Sequence, residues 1–241
     1  SFIYGIYMTI LLNLSIQFVR AKLQHQKALL QRHNRDLNSS IVREDIEMLN
    51  TIIASLENKI NLNSLRGAEG KAASTYFEGF RQLFGSEWKF QHRKKRPSPD
   101  PIKAILSFGY TLLAQSAISA VQVVGLDPFA GFLHSYAYNR ASLGMDLMEE
   151  FRSPIVDRMT LATFNQRLLD SSDFKRTEDD GLHLDRDGRQ RVLLEFSRRV
   201  REETVNRANC TRSSFGNHIE SQARLFVAAL RGRAPYRPFE I

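Results

Sequence analysis

The chain has 241 residues, 42% of them apolar and 10% aromatic, enough for one large core or two small ones, which excludes a disordered polymer. Thirty-four Lys and Arg against 26 Asp and Glu leave a formal charge of +8, which favours polyanionic partners, nucleic acid or an anionic membrane surface, without choosing between them. The single cysteine, Cys210, excludes an internal disulfide framework and a Cys-rich zinc site, leaves redox catalysis without support, and fits a reducing cytosol.

Ser1 to Val19 carry no charge and have the length of a membrane span or a signal sequence. Thr9, Asn13, Ser15 and Gln17 dilute the stretch, Gly5 interrupts it, no basic residue precedes it and no small-residue cleavage site follows. A buried strand running into a helix is the plainer reading, and no membrane association is expected. Leu14 to His33 reads as a helix with Phe18, Ala21, Leu29 and Leu30 on an apolar side and Arg20, Lys22, Lys27 and Arg32 on a solvated basic face. After a polar break at Asn34 to Ser40, a second helix from Val42 to Ile60 is carried by Ile46, Leu49, Ile53, Leu56 and Ile60, and should pack antiparallel to the first. Asn63 or Ser64 caps a third, Leu65 to Leu83, whose first turns hold Gly67, Ala68, Gly70, Ala72 and Ala73, small residues that let a partner come close.

Gly85 to Pro101 is a loop by composition, with Arg93, Lys94, Lys95 and Arg96 ahead of Pro97 and Pro99. Asp100 caps a helix from Pro101 to Val124 that is apolar on most faces and therefore central, and Gly125 ends it. Asp127 to Ala141 is a loop, Ser142 caps a helix through Phe151, and Pro154 starts another to Leu169. Thr177 to Asp187 suggests a small hairpin or turn pair, followed by helices from Arg189 to Arg207 and Asn217 to Arg231. The expected class is mainly α: a multi-helix domain over 13–241, with at most a short N-terminal strand and a small hairpin near 175–187, and without repeats at solenoid spacing.

The stretch Gly125-Leu126-Asp127-Pro128-Phe129-Ala130-Gly131-Phe132-Leu133-His134 is a loop ending in an imidazole, and the helix after it projects carboxylates. Asp146 shares a face with Glu149, three residues on, and with Glu150, four on, whereas Glu149 and Glu150 diverge by about 100°. Only part of this set can point at one ion. Upstream, Glu69 has Arg66 one turn before it and Ala73 one turn after. One imidazole with two or three carboxylates suits Mg2+ or Mn2+, because oxygen donors dominate and thiolates are missing. Each piece also has a plainer meaning: a lone His among aromatics is more often a core residue, a Glu-Glu pair is usually solvated, and a Gly-Ala helix is usually tight packing. Spacing alone does not bring Glu69 and His134 together.

The run Leu65-Arg66-Gly67-Ala68-Glu69-Gly70-Lys71-Ala72-Ala73 resembles the Arg-Gly-x-Glu-Gly-x-Ala-Ala segment of the CRISPR-associated adaptation endonuclease/integrase family, the spacer-acquisition integrases. The Gly-Leu-Asp-Pro-x-x-Gly-Phe-Leu-His run at 125–134 and the Ser-Leu-x-x-Asp-Leu-Met-Glu-Glu-Phe-Arg run at 142–152 resemble that family's other two signatures, in the same order. Pro154-Ile155-Val156-Asp157-Arg158 continues the likeness, which extends from about Phe18 to the end.

The resemblance implies a metal-dependent DNA endonuclease/integrase. The metal, Mg2+ or Mn2+, would be held by a glutamate, a histidine and a second acidic residue, here Glu69, His134 and Glu149. Asp146 would support the site by orienting ligands or contacting DNA, and Glu150 stays outside it. A protospacer 3′-hydroxyl would attack a phosphodiester at the edge of a CRISPR repeat, a transesterification that needs no nucleotide cofactor. Double-stranded and branched DNA, a homodimer, a small ferredoxin-like adaptation partner and a prokaryotic cytoplasm follow from the same likeness. Arg66, Lys71 and Arg140 are candidates for phosphate contacts near the site, while Arg93, Lys94, Lys95 and Arg96 suit DNA-backbone binding farther off or form a solvated tract.

Family members begin with a β-rich dimerisation domain, for which this chain has at most Phe2 to Ile10. Residues 1–12 are accordingly read as a remnant of that domain or a fusion linker, and the chain as a fragment or as one domain of a fusion with a reverse transcriptase or another nuclease. Ser135 and Ala141 stand where the family carries an acidic residue and a proline. The alternatives are a related nuclease for DNA repair or a mobile element, and a non-catalytic DNA-binding subunit.

Overall fold

The computed structural model describes residues 2–85, 88, 100–134, 141–176, 178 and 181–241, with side chains from Met8 onward. The chain opens with one long helix, α1 (Phe2–Leu37), and the strand expected before Ile10 is absent. A lone strand would leave its N–H and C=O groups unpaired, and the described residues supply no strand beside it, whereas a helix satisfies them internally. Asn38, at φ 49°, and Ser39, whose Oγ accepts from Val42 N, turn the chain into α2 (Ser40–Ala54). This helix ends earlier than its apolar spacing predicts. A 3-10 turn at Leu56–Asn58 still buries Leu56 but leaves Ile60 84% exposed.

Helix α3 (Leu62–Arg81) is capped by Asn61, and not by Asn63 or Ser64 as expected: Asn61 Oδ1 accepts from Ser64 N at 2.9 Å, and Ser64 Oγ accepts in return from Asn61 N. Helices α1, α2 and α3 pack on one another. Helix α4 (Pro101–Val123) begins where expected, with Asp100 Oδ1 accepting from Ile102 N at 2.9 Å and Pro101 in the first turn; Gly125, at φ 78°, follows its end. Among the described residues α4 is the one helix long and apolar enough to cross a membrane. Here it packs against four later helices as the central element of the core.

The segment 142–165 is one unbroken helical run of changing pitch. It comprises α5 (Ser142–Met148), a 3-10 turn (Glu149–Phe151), a π segment (Arg152–Asp157) and α6 (Arg158–Asn165). Two expectations are corrected here. Ser142 is the first, fully buried residue of α5 and not its cap. Pro154 does not start a helix; it sits inside the π segment, whose wider turn accommodates the missing N–H and the bulk of the ring. Gly144 sits where α5 meets α4: a Cβ there would lie 2.5 Å from Ile118 Cγ1.

β1 (Phe174–Arg176) pairs antiparallel with β2 (Leu182–Leu184) in the hairpin region expected from sequence. α7 (Arg186–Arg201) is shorter than predicted, because the chain leaves it for a second hairpin, β3 (Glu203–Asn206) with β4 (Thr211–Ser214). Thr204, Val205 and Thr211 are β-branched, a preference that outweighs helix continuation there. α8 (Phe215–Leu230) follows, and the tail folds back so that Phe239 stacks on Phe151 with ring centroids 4.9 Å apart. One apolar cluster runs from Leu14 to Phe239, so elements from both ends of the chain position the same centre.

Candidate active site

The histidine loop is built against α5. Leu143 N donates to Pro128 O at 2.8 Å, and the close approach requires Gly131: a Cβ there would lie 2.3 Å from Ser142 Cβ and 2.8 Å from His134 O. Asp146, fully buried, gathers the loop end. Its Oδ2 accepts from Phe132 N at 2.6 Å and Leu133 N at 3.0 Å, and its Oδ1 accepts from His134 N at 2.9 Å and His134 Nδ1 at 2.5 Å. An ionised carboxylate only accepts, so this geometry assigns the imidazole proton to Nδ1 and leaves Nε2 as a lone pair. Nε2 lies 4.0 Å from Glu149 Oε1. From the other side Arg66 donates two N–H bonds to Leu133 O, from Nε at 3.0 Å and Nη2 at 2.6 Å. The side chain expected to face phosphate is therefore turned inward, where it holds the loop.

Glu149 sits at the 3-10 turn after α5, with its side chain wholly buried. Two cations flank it: Arg152 Nη1 at 2.8 Å from Oε1 and Lys22 Nζ at 2.8 Å from Oε2. Lys22 Nζ also lies 2.5 Å from Glu69 Oε1, so one ammonium bridges the carboxylates of α3 and the 3-10 turn. Burial alone would raise the Glu149 carboxyl; Arg152 and Lys22 outweigh it and hold the group down at about 2. Arg152 is fixed in turn by the ring of Tyr110, 4.1 Å below its Cζ. Tyr110 and Tyr76 donate to the two oxygens of Asp157 at 2.5 and 2.8 Å, yet burial still pushes that carboxyl up to about 6.

Glu150 points away from this centre, as the sequence reading has it. It accepts from Phe239 N at 2.7 Å and Gln222 Nε2 at 3.0 Å and also binds Tyr236. Burial raises its carboxyl to about 7. Its role is to fasten the C-terminal tail.

The structure thus places Glu69 and Glu149 on either side of the Lys22 ammonium and His134 Nε2 4.0 Å from Glu149, with Asp146 behind the imidazole. Lys71 is exposed on α3. Arg140, Ser135 and the basic run Arg93, Lys94, Lys95 and Arg96 lie outside the described residues. Among the described residues no three His, Cys, Asp or Glu side chains form a ready-made metal site. The donor chemistry nonetheless fits a hard divalent cation. Glu149 Oε2 is buried with the Lys22 ammonium 2.8 Å away, and that ammonium also lies 2.5 Å from Glu69 Oε1, so a cation already stands between the two carboxylates.

Sequence reasoning missed Lys22 and Arg152. The basic face expected to be solvated does not include Lys22, which is 6% exposed. The available signal was its position three residues after Val19 and four after Phe18, inside the buried stripe of α1.

The chain matches the family model described as CRISPR associated protein Cas1 over residues 8–198. It is 38% identical over 228 residues to CRISPR-associated endonuclease Cas1 1 of Thermus thermophilus, covering 95% of this chain and 69% of that protein. To CRISPR-associated endonuclease Cas1 of Leptospira interrogans it is 34% identical over 232 residues, covering 93% and 91% respectively. Among solved structures, a casposase bound to integration product is similar with a TM-score of 0.84 and 26% identity, covering 95% of this chain but 63% of that one. The length of the family match and two relatives above 30% identity lead to one conclusion: the chain belongs to the Cas1 family of CRISPR-associated proteins.

Proposed function

We propose that this chain carries the catalytic centre of a divalent-metal-dependent DNA endonuclease/integrase, which inserts protospacer DNA into a CRISPR array. In the reaction a 3′-hydroxyl attacks a phosphodiester; one P–O bond forms as another breaks, so no nucleotide is consumed. Glu69, His134 and Glu149 would hold a Mg2+ or Mn2+ ion, which when bound supplies charge stabilisation at the attacking and leaving oxygens. The observation that carries the reading is the meeting of three separate segments: Lys22 Nζ joins Glu69 and Glu149, and His134 Nε2 faces Glu149 at 4.0 Å.

Asp146 has the part of a positioning residue, because it fixes the His134 tautomer and is too buried to reach DNA. Arg66 holds the loop from the opposite side. Lys71, two residues after Glu69 on α3 and exposed, is left as the candidate for a phosphate contact. Glycines 67 and 70 support the approach of a nucleic-acid backbone, since a Cβ at either would meet nothing within 4 Å and the surface of α3 is bare there. Double-stranded and branched DNA are the substrates on this reading, with a homodimer and a small ferredoxin-like partner as the assembly. That the similar casposase is bound to integration product supports the DNA part of it.

Strand transfer on branched and repeat-containing DNA, with and without Mn2+, tests the proposal. The parent should act only with the ion, and His134→Ala should be inactive at an unchanged thermal midpoint. Equal integration by His134→Ala under matched metal would make the reading wrong, and parent binding without turnover would favour a DNA-binding subunit.

A further inference from the structure

Lys22, like Arg152, is a charged group of the centre to which the proposed chemistry gives no part. Its ammonium has two carboxylate neighbours, Glu69 Oε1 at 2.5 Å and Glu149 Oε2 at 2.8 Å, and these are the residues assigned to the divalent cation. Both partners belong to helical segments packed in the core through Ala72, Met148 and Phe151, so the backbones that carry the two carboxylates hold a fixed spacing. Two cations at one buried pair of carboxylates also repel. Arg152 cannot replace Lys22, because it is engaged with the other oxygen of Glu149 and the ring of Tyr110. The flexible stem of a lysine, by contrast, lets its ammonium move while the backbone of α1 stays in place.

We propose that Lys22 and the divalent cation compete for Glu69 and Glu149, so that loading the centre displaces the Lys22 ammonium from both carboxylates. The proposal rests on the metal reading above. It makes Lys22 a residue that occupies the two carboxylates until the ion arrives and so sets how tightly the ion binds. If Lys22 instead pre-forms the site for the ion, removing its charge will weaken binding; if it competes, removal will strengthen it. The two roles predict opposite signs.

The test is Mn2+ binding by the DNA-free chain, read from the electron paramagnetic resonance of free Mn2+, for the parent, Lys22→Met, Lys22→Arg and Glu149→Gln. Lys22→Met, which keeps much of the stem volume without the charge, should bind the ion at least about tenfold tighter, a change of about 1.4 kcal/mol. Lys22→Arg should stay close to the parent, and Glu149→Gln should bind more weakly. Equal or weaker binding by Lys22→Met overturns the competition while leaving the metal site intact. Absence of binding by the parent overturns the metal reading and this one together. Should Lys22→Met fail to fold, amine acylation of the parent with peptide mapping answers the same question. Lys22 should be protected without Mg2+ and labelled with it, while exposed Lys71 is labelled in both. Protection of Lys22 unchanged by Mg2+ in a chain that binds the ion overturns the proposal.

Discussion

Asp146 Oδ1 receives two hydrogen bonds from one residue, the backbone N–H of His134 at 2.9 Å and its ring Nδ1 at 2.5 Å. The same carboxylate that ends the loop therefore also sets the imidazole's tautomer and rotation, and His134 is oriented before any ligand arrives. With Arg66 holding Leu133 O from the other side, the imidazole sits on a loop restrained at consecutive residues.

Asp146→Asn tests that coupling. The amide cannot accept at both ends, so at least one of the donors from Phe132, Leu133 or His134 loses its partner. Stability should fall by about 1–3 kcal/mol, and Mn2+ affinity by about 10–100-fold. Thermal unfolding and a metal titration measure both; no change in either would mean that the loop holds itself.

Glu69 and Glu149 should separate in stability while agreeing in activity. Glu69→Ala leaves Lys22 paired with Glu149, so the cost should be about 1 kcal/mol or less. Glu149→Ala leaves Lys22 with Glu69 but takes the carboxylate from Arg152, and should cost about 3–5 kcal/mol. Both should abolish strand transfer. Urea unfolding of the two variants is the measurement, and equal costs would contradict the bridged arrangement.

Asp157 should make stability depend on pH. Its carboxyl is raised by burial from 3.8 to about 6, so the fold favours the protonated form: the contribution is full below the unfolded value and is lost as pH rises through about 6. Between pH 4 and 7 the stability of the parent relative to Asp157→Asn should decline by up to about 3 kcal/mol. His25, lowered by burial to about 4, has the opposite sign and loses stability as pH falls below its ordinary 6.5. The difference between parent and variant is therefore the quantity to plot, because the His25 contribution is common to both. A flat difference would place a compensating charge beside Asp157.

The basic run Arg93, Lys94, Lys95 and Arg96 should act on DNA without choosing sequence. Replacing all four by alanine should weaken binding of repeat-containing and random duplexes alike and lower the slope of log affinity against log salt by up to about 3 to 4. Chemistry at saturating DNA should persist. Identical slopes would mark a solvated tract, and loss on the repeat alone would mark a reader of sequence or shape.

What the sequence by itself determined is local. The helix from Pro101 with its Asp100 cap and the Gly125 stop, the hairpin region near 175–187, and the mainly helical class all follow from periodicity, caps and turn residues acting within a few positions of one another. The motif around Glu69, the loop ending in His134 and the Asp146–Glu149 spacing were legible for the same reason. Tertiary structure alone decided the rest. Whether Lys22 faced water or two carboxylates depended on residues 47 and 127 positions away, and the inward turn of Arg66 on a carbonyl 67 positions away. Pro154 could be absorbed only because the run from α5 to α6 widens there, and among the described residues the strand expected at the N-terminus has no neighbour with which to pair. A charged side chain's environment is set by whatever folds against it, and in this chain those groups come from helices far apart in sequence that share one core.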